Sequence, residues 1–235
     1  AQKAMNAKVL ETFDTIEDKT SFHTLPESLI KHVLTKRRIS VDQIPASTLD
    51  VILMGDGRGT GNSFKSVMLE MRLMIEGRST FRVDRAHLLS LILGEEDRKH
   101  MPRRLEPMLK ALEKLQTEGF MFEGKRVKVR LHTVSDAKFM HMCFGTMRFC
   151  DEGSNCLFCF ATTEERENVL KRFKTVKKRT NNSKFTKGQK HTDLFHFIPW
   201  DRRWIEQLHL NFRLFGHDSL LKQAFTAMMT TEFDE

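Results

Sequence analysis

The spacing of apolar and polar positions changes period several times along the chain, and each change marks an element. Pro26 stands near a helix start, with Leu29, Ile30, Val33 and Leu34 on one side and the basic turn Lys36-Arg37-Arg38 after them. Ser40 and Asp42 precede a second short amphipathic stretch running through Ile44 to Leu49. From Leu49 the pattern becomes that of strands. Leu49 to Met54 is a nearly continuous apolar run, closed by Gly55-Asp56-Gly57-Arg58-Gly59, so Asp56 is expected at a strand end. Phe64 to Ile75 alternates through Val67, Leu69, Met71 and Leu73. A third apolar run, Ala86 to Leu93, completes three successive strands.

Leu105, Met108, Leu109, Leu112 and Leu115 then recur at helical spacing, predicting a helix over 103–118 with Pro102 and Pro107 at its start and Gly119 as its stop. A turn at Gly124 leads into a strand in which Val127, Val129 and Leu131 alternate with basic residues, ending at Ser135-Asp136. Beyond it, Thr162-Thr163-Glu164-Glu165 caps an expected basic helix. A final helix is expected to begin near Pro199 and to include Trp200, Trp204, Ile205 and Leu208. These elements divide the chain into an N-terminal helical subdomain (1–48), a core (49–142), a Cys-rich and basic segment (143–190) and a C-terminal helical part (191–235).

Composition narrows the classes. An apolar fraction of 40%, a charged fraction of 30% and only 12 Gly and 5 Pro in 235 residues exclude disordered and collagen-like classes for the chain as a whole. No run reaches the ~18 to 20 apolar residues of a membrane span. The opening Ala1-Gln2-Lys3 lacks a leader pattern, so secretion is not expected, and a first residue other than Met points to a trimmed fragment. Thirty-nine Lys and Arg against 31 Asp and Glu give a charge of +8. Between Lys171 and Lys190 there are nine basic residues and no acid, a local field that suits a polyanion.

Three strands, a helix and a fourth strand, with Asp56 closing the first and Asp136 the fourth, is the order of a ribonuclease-H-like α+β fold: a mixed sheet with flanking helices. There the fourth strand lies parallel to and beside the first, so the two carboxylates converge. Converging carboxylates joined by a third can hold two divalent cations, one activating the attacking oxygen and one stabilising the leaving oxygen of phosphoryl transfer. Mg²⁺ or Mn²⁺ is the matching ion for oxygen ligands. An Asp after a strand is also common simply as a turn or cap residue.

Four segments in order carry a resemblance: Ile52-Leu53-Met54-Gly55-Asp56-Gly57-Arg58-Gly59, Val129-Arg130-Leu131-His132-Thr133-Val134-Ser135-Asp136, Cys156-Leu157-Phe158-Cys159-Phe160-Ala161-Thr162 and Glu206-Gln207-Leu208-His209-Leu210-Asn211. Between about Val51 and Phe215 the chain resembles the catalytic core shared by the V(D)J recombinase catalytic subunit and Transib transposases. The resemblance implies a DDE-type DNA strand transferase with a zinc-braced insertion, acting in the nucleus. Asp56 is similar to its first metal-binding Asp and Asp136 to its second. The third carboxylate of that family is a Glu beyond a long helical insertion, and Glu206 and Asp218 are the candidates here. An active strand transferase and a domesticated, inactive DNA-binding or protein-interaction module both fit the pattern, with a protein partner or homodimer open for either.

All four cysteines, Cys143, Cys150, Cys156 and Cys159, fall in one short segment, which suits reduced thiols or metal ligands better than a disulfide framework. Cys156-x-x-Cys159 has the spacing of a zinc half-site, and His191 and His196 offer a histidine pair; the four cysteines together, or simple burial, are the rivals. In the basic helix Lys171, Lys174, Lys177, Lys178 and Arg179 are the candidate phosphate contacts, against the alternative of a solvated face. Trp200 and Trp204 have the spacing of a helical aromatic pair.

Overall fold

The computed structural model describes residues 15–17, 21–60, 64–75, 85–94, 98–146 and 191–205. In chain order the elements are β1 (Thr15–Glu17), β2 (Ser21–Thr24), α1 (Pro26–Lys36), β3 (Thr48–Thr60), β4 (Phe64–Leu73), β5 (His87–Leu93), α2 (Met101–Glu118), β6 (Phe120–Phe122), β7 (Lys125–Ser135), α3 (Ala137–Phe144) and β8 (Arg203–Ile205). Short 3-10 turns at Val41–Gln43, Pro45–Ser47 and Trp200–Arg202 fill the connections. The protein is thus a mixed α+β structure, in which no helix among the described residues is long and apolar enough to cross a membrane.

Among the described residues the strands form one curled sheet in the order β1-β2-β5-β4-β3-β7-β6, with β8 also on β7. β3, β4 and β5, the three successive strands expected from the sequence, form an antiparallel meander. β7 runs parallel to β3, and β8 parallel to β7. A parallel neighbour needs a long crossover. α2 supplies it, laying Met101, Leu105, Met108, Leu112 and Leu115 into the core. The helix begins earlier than its periodicity suggests, at Met101, so Pro107 lies inside it rather than at its start. β6 and β7 meet in a two-residue turn at Glu123 and Gly124, both at positive φ (47° and 76°), the geometry that matches the strand twist.

The N-terminal segment differs from the expected helical subdomain. β2 adds to the sheet edge beside β5, and a buried bond of 2.9 Å joins His23 Nδ1 to Ser90 Oγ. α1, started by Pro26 in its first turn, buries Leu29, Ile30, Val33 and Leu34 in the same core as the sheet. A four-residue strand, Ser21–Thr24, is too short to show a period, and its pairing with β1 and β5 makes it one.

Each register pair shares a side of the sheet, and successive residues alternate sides. Leu49, Val51, Leu53 and Gly55 therefore lie on the side with Val129, Leu131, Thr133 and Ser135. Gly55 is where α3 crosses: a Cβ there would stand 2.0 Å from Cζ of Phe139, itself only 1% exposed. Because that ring is enclosed, Gly55→Ala should destabilise the fold by about 1–3 kcal/mol through overpacking. Urea unfolding checks this, and an unchanged midpoint would show that α3 can shift at no cost.

Candidate functional site

The β3–β7 ladder pairs residues 80 apart, from Thr48 with Lys128 to Leu53 with Thr133. Two residues further on, the Gly55 N–H donates to Ser135 Oγ at 2.8 Å, so the strands are still side by side there. Asp56 and Asp136 are the next residues of the two strands. β3 does not stop at Asp56, contrary to the turn expected at Gly55-Asp56-Gly57. Its glycines stay extended to Thr60 because β4 continues to pair with them, Gly57 with Val67 and Gly59 with Lys65. What ends near Asp56 is the parallel ladder, since the other chain leaves β7 for α3. Asp136 makes that departure as the helix N-cap: its Oδ1 accepts from the Phe139 N–H at 2.6 Å. Asp56 is exposed and Asp136 half-buried.

A third strand reaches the same level. β8 pairs with β7 as Thr133 with Arg203, Val134 with Trp204 and Ser135 with Ile205. This corrects the helix expected from Pro199: Trp200–Arg202 is a single 3-10 turn, and Trp204 and Ile205 belong to a strand. Arg203 is the physical reason. Its side chain is buried, donating to Asp193 Oδ2 at 2.6 Å, to the Ile198 carbonyl at 2.8 Å and to the Phe195 carbonyl at 2.9 Å. The guanidinium lies 4.1 Å from the Trp200 ring centre and 4.5 Å from that of Phe144. Burial lowers its pKa, against the opposing pull of Asp193. Those contacts hold the backbone beside β7, where pairing replaces helical hydrogen bonds. Glu206 follows Ile205 directly, but it and Asp218 lie outside the described residues.

On the same side of the sheet as Asp56, toward the start of the ladder, is a polar cluster that the sequence pattern does not single out. Arg130 donates from Nε and Nη2 to the two carboxylate oxygens of Asp50, at 2.5 and 2.6 Å, and His132 Nε2 lies 2.7 Å from Oδ1. Trp204 stacks on the His132 ring at 5.0 Å between centres. Asp50 and Arg130 are direct register partners, so the fork ties β3 to β7. The bond from Arg130, with that from His132, holds the Asp50 carboxyl below its usual range against the opposing effect of burial. The available signal was the alternation of β7, which puts Arg130, His132 and Val134 on one side; the partner on β3 needs the register.

The structure describes only some of the remaining expected ligands. His191 is exposed, its N–H donating to the Gly145 carbonyl at 3.1 Å. His196 is exposed as well, with Nε2 at 3.1 Å from Glu113 of α2. Cys143 is a buried residue of α3 and part of the core. Cys150, Cys156, Cys159, Lys171, Lys174, Lys177, Lys178 and Arg179 lie outside the described residues. Trp200 packs edge-on against Phe144 at 5.3 Å, whereas Trp204 meets His132, so the two tryptophans do not form the helical pair. Among the described residues no group of three or more His, Cys, Asp or Glu is arranged to hold a metal. No family model matches the chain, and no curated protein is significantly similar to it.

The Asp50 fork carries a pH signature. Its folded pKa lies below the unfolded value of about 3.9, so the stabilisation is present above that pH and is lost as pH falls through the lower folded value. Wild type should therefore resist urea better than Asp50→Asn at pH 7, with the difference closing as pH falls through the folded value. A difference independent of pH would mean that the carboxylate charge is not what Asp50 contributes.

Proposed function

We propose that the chain carries a ribonuclease-H-like core of the DDE class, which binds DNA and uses divalent metal at Asp56, Asp136 and Glu206 for strand cleavage or transfer. The observation that carries this reading is the alignment of three parallel strands. Gly55, Ser135 and Ile205 are joined side by side on β3, β7 and β8, and each is followed directly by one of the three acids. The strand order β5-β4-β3-β7 with β8 beyond, in which β4 alone runs against the other four, is the order such a core has. It supports the fold assignment as well as the site.

The carboxylates suit a hard cation, and Asp136 spends one oxygen on its helix cap, which fixes the side chain while Oδ2 takes no part in the cap. A divalent pair bound there would activate the attacking oxygen and stabilise the leaving one. The protein's share is to hold the acids at one level of a rigid sheet and, through Lys171, Lys174, Lys177, Lys178 and Arg179, to bind the phosphates. Zinc on Cys156 and Cys159, with His191 and His196 as the remaining ligands, belongs to the same reading and rests on their spacing.

On supercoiled DNA with Mg²⁺ or Mn²⁺, Asp56→Asn, Asp136→Asn and Glu206→Gln should each abolish nicking while leaving DNA binding intact or slightly stronger. Absence of nicking by the wild type with both ions would overturn the enzyme reading and leave a DNA-binding or protein-interaction module. Replacing Lys171, Lys174, Lys177 and Lys178 with Gln should weaken binding and reduce its salt dependence by up to about four counterions' worth of slope. Undiminished DNA binding by that variant would make the basic block a solvated face.

A further inference from the structure

A second charged surface lies on the other side of the sheet from Asp56, at the opposite end of the meander. His87 begins β5 and pairs with Met71, a residue of the core side, whereas Asp56 pairs with Met68, three positions away and so on the reverse side. Above His87 runs the last turn of α1. Together with β2 they enclose a cavity of about 310 Å³, lined by Phe22 and Thr24 of β2, Leu29, His32, Val33, Lys36 and Arg37 along α1, and Ala86, His87 and Leu88. No acid is among these residues. The last-turn carbonyls are already taken, Val33 by the Arg37 N–H, Leu34 by Ile39 and Thr35 by Arg38.

We propose that this cavity is a site for a phosphate ester, its anionic end held by Lys36, Arg37 and His87 and its carbon portion lying along Phe22, Leu29 and Val33. Helical spacing orders the lining that way: Leu29 and Val33 precede Lys36 and Arg37 on one stripe of α1, so the cavity is apolar at one end and cationic at the other. Arg and Lys are the side chains suited to phosphate, and a cavity of this size with few polar groups at one end has the dimensions of a small-ligand site. His87 registers the field. Burial, with Arg37, Lys36, Arg85 and His32 adding repulsion, pushes its pKa down to about 4, and its buried Nε2 has no hydrogen-bond partner among the described residues. An anion in the cavity would offset that repulsion and accept from the ring.

The test is isothermal titration of the full chain with phenyl phosphate and with inorganic phosphate. Both should bind, phenyl phosphate more tightly because it also fills the apolar end. Lys36→Gln combined with Arg37→Gln should weaken both by more than tenfold in a variant that still unfolds cooperatively in urea, and Asp56→Asn should bind like wild type, which separates this site from the metal chemistry. A single-stranded oligonucleotide lacking terminal phosphates identifies the source. If it displaces phenyl phosphate, the site takes the nucleic-acid backbone; if not, it takes a free ester. No binding of either phosphate at millimolar concentration, or undiminished binding by the double variant, would overturn the proposal.

Discussion

The parallel pairing of β3 with β7 is the contact on which the rest of the structure depends. It joins residues 80 apart, yet the entropy of closing so long a loop exceeds that for ten residues by only about 2 kcal/mol. The ladder, the Asp50–Arg130 fork on one side and the apolar pairs Leu49–Val129 and Val51–Leu131 on the other offset that cost together. Without the pairing, the meander and the β7 unit would each expose an apolar edge. β8 would have no strand to join, and Asp56 and Asp136 would not follow neighbouring strands.

The end of that ladder is shaped by a single small residue. At Gly55 the chain has no side chain, so Phe139 can close over β3 and α3 can begin at Asp136. The hydroxyl of Ser135 meets the Gly55 N–H at the place where a regular ladder bond would otherwise be needed. Packing on one side of the sheet thereby sets the acids of the other: the cap that fixes Asp136 belongs to the same helix whose ring needs Gly55. Arg203 does the corresponding work for β8, anchoring it from beneath through two rings and the carbonyls of Phe195 and Ile198.

The two sides of the sheet thus present different chemistry. Asp56 lies on the side where Asp50 pairs with Arg130 and hydrogen-bonds with His132 across β3 and β7. The opposite side, at the β5 edge, gathers cations with no acid among the lining residues. This separation follows from the period of two along strands: one residue of displacement moves a charge from one side to the other.

Much of the core was legible from the sequence by itself. β4, α2 and β7 are long enough to display a period of two or of 3.6, and β3 and β5 show as apolar runs of strand length, so each reports its burial directly. That order also placed Asp56 and Asp136 on neighbouring strands. Tertiary structure alone decided the rest, because the stabilising partners are remote in sequence. Ser21–Thr24 is a strand by virtue of β5, Arg203–Ile205 by virtue of β7, and the glycines after Asp56 stay extended by virtue of β4. The Asp50–Arg130–His132 cluster and the cavity under α1 join residues from different elements, and no local pattern encodes a register between strands. A sequence carries the side chains' preferences for water or core, whereas which charges meet is set by the alignment of backbones that those preferences bring together.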